Sequence, residues 1–366
     1  MAVQSSSSSS SSSSNIPIID LSEETGRHVI VAQGTPETYH GHPSTVLLPD
    51  GKTMYAAWTY GHGGSCGPLK RSTDGGKTWS DLLPVPANWS SVKNCPVLYR
   101  LVDAHDKARL FVFAGGSEYN GAMFQSLSED DGETWTPFTP TGILNKVMPW
   151  CSIVDIGKGV YLAQTNARRS GDPDKWSNNI IQSISHDGGL TWTKPRVVLD
   201  MPGYKPCEPA LVRSPDGSLL VSVLRENSRK LNSLIIRSSD NGETWSEPEE
   251  LPSALTGDRH VFRYSPDGRL VGVFRDRDKN SSTYGHFVAW VGTCDDLLKR
   301  KEGEYKIKLL HSYAGPDCGY AGLELLPDGT FVATTYIKYR PGVEKHSIVS
   351  TRFILAECDA KAKNKR

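Results

Sequence analysis

A phrase of the form S-x-D-x-G-x-T-W is written four times in this chain. Its members are Ser72-Asp74-Gly76-Thr78-Trp79, Ser128-Asp130-Gly132-Thr134-Trp135, Ser185-Asp187-Gly189-Thr191-Trp192 and Ser238-Asp240-Gly242-Thr244-Trp245. The tryptophans stand 56, 57 and 53 residues apart. A fixed period of this size belongs to solenoids, propellers and arrays. The phrase reads as a hairpin turn, in which Asp accepts backbone amides and Gly takes the positive φ. Thr and Trp then open the next strand, with the Trp free to wedge between hairpins. These aspartates are read as structural, not as catalytic acids.

A second repeat runs in register with the first. A P-D-G turn precedes a new apolar run at Asp50, Asp216, Asp267 and Asp328, and eight residues before each stand His42, Glu208, Arg259 and Tyr320. Two degenerate copies, CPVLYRLVD and WCSIVDIGKG, add Cys95 and Trp150. The six positions lie 53, 55, 58, 51 and 61 residues apart. Roughly 55 residues suffice for a four-stranded antiparallel sheet, and six such sheets make an all-β, six-bladed β-propeller of four-stranded antiparallel blades. A β-sandwich or a parallel β-helix suits the period less well. The expected boundaries are a propeller over 17–358, a disordered Ser-rich tail or linker over 1–16, and a basic, frayed tail over 359–366.

Composition narrows the function classes. Lys+Arg and Asp+Glu both number 41, so the formal net charge is zero. That balance argues against a nucleic-acid or membrane-surface partner, each of which calls for a basic excess. No apolar run reaches transmembrane length. MAVQ and the ten serines after it supply neither the basic nor the apolar region of a signal peptide. The compartment stays open, cytoplasmic or, if a leader has been replaced, secreted or periplasmic. The seven cysteines form no CxxC pair, and free thiols are expected. No metal or other cofactor is expected. The imidazoles of His40 and His42 lack a third ligand, and GHGGSCG opens no helix, as a phosphate loop would.

In a propeller the innermost strands line the central channel, so their equivalent first residues form a ring at one mouth. Here that ring is His42, Cys95, Trp150, Glu208, Arg259 and Tyr320. The second strands end in Arg225 (LLVSVLREN) and Arg275 (LVGVFRDR) at nearly the same register in adjacent blades. Converging guanidiniums suit a carboxylate, although Asp276 or Glu226 could absorb that charge within the protein.

The S-x-D-x-G-x-T-W phrase is the Asp-box of sialidases, and the chain resembles that superfamily over residues 25–355. CEPALVRSPDGSLLVSVLREN resembles the segment in which Glu-Pro opens a strand and Arg closes the hairpin. DCGYAGLELLPDG resembles the segment carrying the catalytic tyrosine. The resemblance implies Tyr320 as nucleophile, Glu208 as its base, and Arg225, with Arg275 or Arg259, as the clamp on a substrate carboxylate. Asp317, at the head of the tyrosine segment, joins the candidate substrate-binding residues. A neutral Tyr avoids the repulsion that a carboxylate nucleophile would meet beside an anomeric carboxylate.

Two departures from the family pattern shape the expectation. In YHGHPSTVLLPDG, Gly41 stands where the first arginine of the family's triad belongs, flanked by His40 and His42. The loop TYGHGGSCGPLKR has no Asp where the family's general acid belongs, and His62 is its strongest proton donor. The leading expectation is a sialidase-like exo-glycosidase acting on a glycan with a terminal acidic sugar, with His62, His42 or His40 as acid. A lyase or unusual hydrolase of uronate glycans could use His42, Tyr320 and Arg259 or Arg275. A non-catalytic glycan-binding propeller could stack sugars on Trp150, Tyr60 or Tyr336.

Overall fold

A computed structural model describes residues 16–115, 121–144, 147–174 and 177–365; the serine run lies outside them. Six sheets surround one axis. In chain order their innermost strands are His40–Leu47, Lys93–Val102, Ser152–Gly157, Pro206–Arg213, Gly257–Tyr264 and Cys318–Leu325. The chain is a six-bladed propeller built mainly of four-stranded antiparallel sheets. Blade 1 has three strands, and blade 5 gains a fifth, Ile18–Asp20, which pairs in parallel with Tyr305–Leu310. His28–Ala32, from the N-terminal end, pairs with Ser347–Phe353 and completes blade 6. Both ends of the chain therefore close the ring in one sheet.

The Asp-box turns are built alike in all four copies. In the first, Ser72 Oγ donates to Asp74 Oδ1 at 2.8 Å and accepts the Gly76 amide at 2.8 Å. Asp74 also accepts the Thr78 amide at 2.9 Å and the Thr78 hydroxyl at 2.6 Å. Asp130, Asp187 and Asp240 repeat the pattern. The glycine is needed for two reasons. Gly132 has φ 94°, and a Cβ there would lie 2.4 Å from Tyr55 Cζ in the preceding blade. Gly189 and Gly242 meet Leu101 and Leu162 of their preceding blades in the same way. The phrase is thus an inter-blade spacer as well as a turn. Its tryptophans fill the same seams, Trp135 against Trp89 and Trp192 against Trp150.

This turn chemistry implies an acid limit to stability. Hydrogen bonds within the turn hold Asp130 and Asp240 down at about 2, and the same bonds outweigh burial to hold Asp74 there. A folded-state pKa below the unfolded value of about 3.9 stabilises the fold above that value. The contribution disappears as pH falls through the folded value. Thermal melts should therefore hold steady down to about pH 4 and lose stability progressively toward about pH 2. Asp130→Asn should flatten that slope. A loss beginning near neutral pH would place the sensitivity elsewhere.

The other elements are short. Cys294–Leu298 is a five-residue helix capped by Thr293. Leu355–Lys363 is a nine-residue helix that buries Leu355, Cys358 and Ala362. It runs across residue 358, and its Asp359 accepts hydrogen bonds from Arg269 and Tyr305. Residues 359–363 are therefore docked helix, where the basic composition alone suggested a frayed end. All seven cysteines are buried, and none is joined in a disulfide among the described residues. No helix among the described residues is long and apolar enough to cross a membrane.

Candidate active site

The innermost strands share a local distortion that creates the site. Pairing with the second strand skips residues between Gly41 and Ser44, Lys93 and Val97, Cys207 and Ala210, Asp258 and Val261, and Gly319 and Gly322. Each gap is a β-bulge, which re-aims a side chain. His42, Cys95, Glu208, Arg259 and Tyr320 sit in these bulges with φ between 46° and 56°. Left-handed backbone at five bulky residues costs about 1–3 kcal/mol apiece and persists only where the surroundings impose it. Trp150 holds the sixth register without a positive φ. Its side chain is fully buried against Trp192, Phe111 and Phe113 and offers no face to a sugar. Without the bulge, the tryptophan packs into the seam between blades.

Tyr320 and Glu208 meet directly, the phenol donating to Glu208 Oε1 at 2.5 Å. Arg225 donates to the same oxygen at 2.8 Å. Burial alone would raise the Glu208 pKa; Arg225 and the Tyr320 hydroxyl outweigh it and Asp258's repulsion, and hold the carboxyl below its usual range. Burial and the Glu208 charge push the Tyr320 phenol well up. The pair is therefore a neutral phenol held by an ionised carboxylate. The His42 ring lies 4.3 Å from the Tyr320 ring, and the Arg259 guanidinium lies 5.9 Å from it. Arg259 also donates to the Cys151 carbonyl across the mouth at 2.9 Å.

Three histidines were candidates for the acid, and their surroundings differ. His40 accepts from Trp58 at 2.8 Å and contacts the Gln33 carbonyl at 3.2 Å, so both nitrogens serve the scaffold. His42 accepts the Gly63 amide at Nδ1, which leaves its proton on Nε2. Burial, then His62 and Arg275, hold its pKa well below the ordinary value, so it stays neutral. His62 is 60 % exposed, with Nδ1 3.4 Å from Asp317 and its ring 4.5 Å from His42. Asp317 also accepts from Tyr39 at 3.1 Å and Tyr336 at 3.0 Å, and lies 3.2 Å from His346. Its carboxylate gathers one wall of the mouth. Burial works against its ionised form, but His62 and His346 keep its pKa well below the usual aspartate value.

Gly41 leaves no room for a side chain, since a Cβ there would lie 2.7 Å from the Gly61 carbonyl oxygen and 2.9 Å from Tyr39. Arg225 and Arg275 do converge, but on Asp258. Arg275 Nε and Nη2 donate to it at 3.0 and 2.7 Å, and Arg225 Nε lies 3.1 Å away. Arg229 grips both Asp258 oxygens, at 2.6 and 2.9 Å. Neither Asp276 nor Glu226 absorbs the arginine charge. Asp276 pairs with buried Lys306 at 2.9 Å, and Glu226 caps the amides of Lys205, Ser228 and Lys230.

Two buried polar atoms beside Tyr320, Glu208 Oε2 and His42 Nε2, have no partner among the described residues. Such orphans are rare in a finished core and suit a ligand's hydroxyl groups. Below the mouth runs a channel of about 540 Å³, lined by the inner strands down to Arg100, Arg213, Arg263 and Glu324. Asp258, Arg229, Tyr39 and His346 escaped sequence reasoning, and Tyr336 was considered only as a sugar-stacking ring. Asp258 and Tyr336 share a discoverable register. Arg225, Arg275 and Tyr336 pair opposite the residue before the ring position, which is Cys207, Asp258 and Gly319 respectively.

Family models describe residues 160–271 as a BNR repeat-like domain and residues 70–81 as a BNR/Asp-box repeat. A sialidase of Clostridium perfringens is 26 % identical over 207 residues, 55 % of this chain and 44 % of the relative. An anhydrosialidase of Macrobdella decora is 28 % identical over 225 residues, 58 % of this chain and 29 % of the relative. The chain thus matches less than half the length of either relative. A crystal structure of a Dyadobacter fermentans protein of unknown function superposes with TM-score 0.69 at 17 % identity, over 89 % of this chain and 97 % of that one.

Proposed function

Because this chain is an Asp-box six-bladed propeller related in sequence to sialidases, we propose that it is a glycoside hydrolase that cleaves a terminal acidic sugar through a tyrosine nucleophile. The observation that carries the reading is the 2.5 Å hydrogen bond between Tyr320 and Glu208 at the mouth. Tyr320 Oη attacks the anomeric carbon while its proton passes to Glu208 Oε1. The glycosidic C–O bond breaks, and the leaving oxygen takes a proton from His62. Water then attacks the anomeric carbon of the tyrosyl glycoside and gives a proton to His62. Tyr320 departs and recovers its proton from Glu208. Two displacements retain the anomeric configuration.

His62 suits the acid role because it is open to solvent and its second nitrogen faces a carboxylate. Asp317, 3.4 Å from Nδ1, orients the ring. A positive cluster supports an acidic substrate. Arg225, Arg229, Arg259, Arg275 and Arg277 gather around two buried carboxylates, Glu208 and Asp258.

The acid role has a leaving-group signature. His62→Ala should slow a natural alkyl glycoside by about 10²–10³-fold. It should slow an aryl glycoside, whose leaving oxygen needs no proton, by less than about tenfold. Equal losses on both would assign the acid to another group.

A further inference from the structure

The feature that the reaction above does not use is Asp258. It is buried, with only 1 % of its side chain exposed, and four guanidiniums face it. Its two oxygens lie between Arg225 and Arg275, where a substrate carboxylate would have to enter to use that pair. Apart from Arg225 Nε, which lies 3.1 Å from Asp258 Oδ1 without a hydrogen bond among the described residues, the donors of the pair are committed. Arg225 gives Nη1 to Glu208 and Nη2 to Asn227, and Arg275 gives Nη1 to the carbonyls of Pro316 and Cys318. Burial opposes the Asp258 charge, but Arg225, Arg275 and Arg229 keep the carboxyl far below the usual range, so it is ionised throughout. A second carboxylate between the same two arginines would meet that charge at close range in a poorly solvated site.

Two further guanidiniums lie farther out, and one of them, Arg229, is committed to both Asp258 oxygens at 2.6 and 2.9 Å. Arg229 and Arg277 are 25 % and 17 % exposed, and each reaches Asp258 from a loop just beyond the second strand of blades 4 and 5. Arg277 Nε has no hydrogen-bond partner among the described residues, although it is buried. The same arrangement accounts for a neutral nucleophile, since a third carboxylate beside Glu208 and Asp258 would be repelled.

We propose that Asp258 is a specificity-determining residue that fills the Arg225–Arg275 pair from within, so that the site selects sugars whose carboxylate lies away from the anomeric carbon, where Arg277 meets it. The proposal rests on the mouth being the substrate site but not on turnover there.

Calorimetric binding to the full chain tests it with two probes. One is a 2,3-unsaturated sialic acid analogue, with its carboxylate on the anomeric carbon. The other is a methyl hexuronide, with its carboxylate on C5. The wild type should bind the hexuronide at least about tenfold more tightly. Asp258→Asn, which keeps the shape and removes the charge, should raise affinity for the sialic acid analogue at least about tenfold. Arg277→Gln should weaken hexuronide binding alone. The proposal is overturned if the wild type prefers the sialic acid analogue or binds neither probe. It is also overturned if a cooperatively folded Asp258→Asn gains nothing. Should Asp258→Asn fail to fold, the wild-type preference decides. Loss of the hydrolase reading would show instead as turnover that ignores Tyr320, with the binding preference intact.

Discussion

Tyr320→Phe should lose at least about 10³-fold in turnover, equivalent to about 4 kcal/mol of transition-state stabilisation, while glycan affinity changes by less than about threefold. The substitution removes one oxygen, the one hydrogen-bonded to Glu208. The ring's contacts with His42 and Arg259 remain, and so does its packing beside Cys95 and Met148. The fold should persist, because that oxygen bridges no other element. The split between rate and affinity matters more than the loss. A binding-only propeller would show no turnover to lose. A scaffold role for the phenol would lower the melting temperature along with the rate. Turnover within a few-fold of wild type would remove Tyr320 from the chemistry.

Glu208→Gln should be nearly as damaging, by about 10²–10⁴-fold, because the amide can hold the phenol but cannot take its proton. Gln can still accept from Arg225, so the pairing at 2.8 Å has a neutral substitute and the bulge should hold. The double variant Tyr320→Phe/Glu208→Gln should be no slower than the worse single variant, since residues acting in one proton transfer are not additive. Additive losses would mean that Glu208 acts on the substrate independently of Tyr320. The acid limb of the rate should follow Glu208, whose pKa is held low, so activity should persist below the ordinary glutamate range and fall as that carboxylate protonates.

The sequence carried the fold because the Asp-box is local chemistry. Ser, Asp, Gly and Thr satisfy one another within eight residues, so the phrase survives wherever a hairpin needs that turn. Counting back from the P-D-G turns located the mouth for a similar reason, since the innermost strand of each blade has nearly fixed length. The count cannot reveal backbone conformation. It treated Trp150 as equal to Glu208 and Tyr320, although only bulged positions turn their side chains inward. Asp258 was hidden by its neighbour Arg259. Both lie at one bulge and both reach the cluster around Glu208 and Tyr320, which strand alternation does not anticipate. Tyr336 and His346 reach Asp317 from within blade 6, 19 and 29 residues away, but Tyr39 joins them only because blade 6 closes against blade 1, across 278 residues of sequence.

The departures from the sialidase pattern form a coherent set. Gly41 admits no first arginine, Asp258 occupies the other two, and His62 with Asp317 stands where an aspartic acid is missing. On the proposed reading, the Tyr320–Glu208 pair supplies the nucleophile and its base inside this altered frame.

The most direct test is to trap the intermediate. The chain would be incubated with fluorinated donors of acidic sugars carrying good leaving groups, then digested and mapped by mass spectrometry. One sugar attached to Tyr320, and absent from Tyr320→Phe, is the expected result. Turnover that leaves Tyr320 unlabelled, with an unsaturated product absorbing in the ultraviolet, would contradict the account and point to elimination.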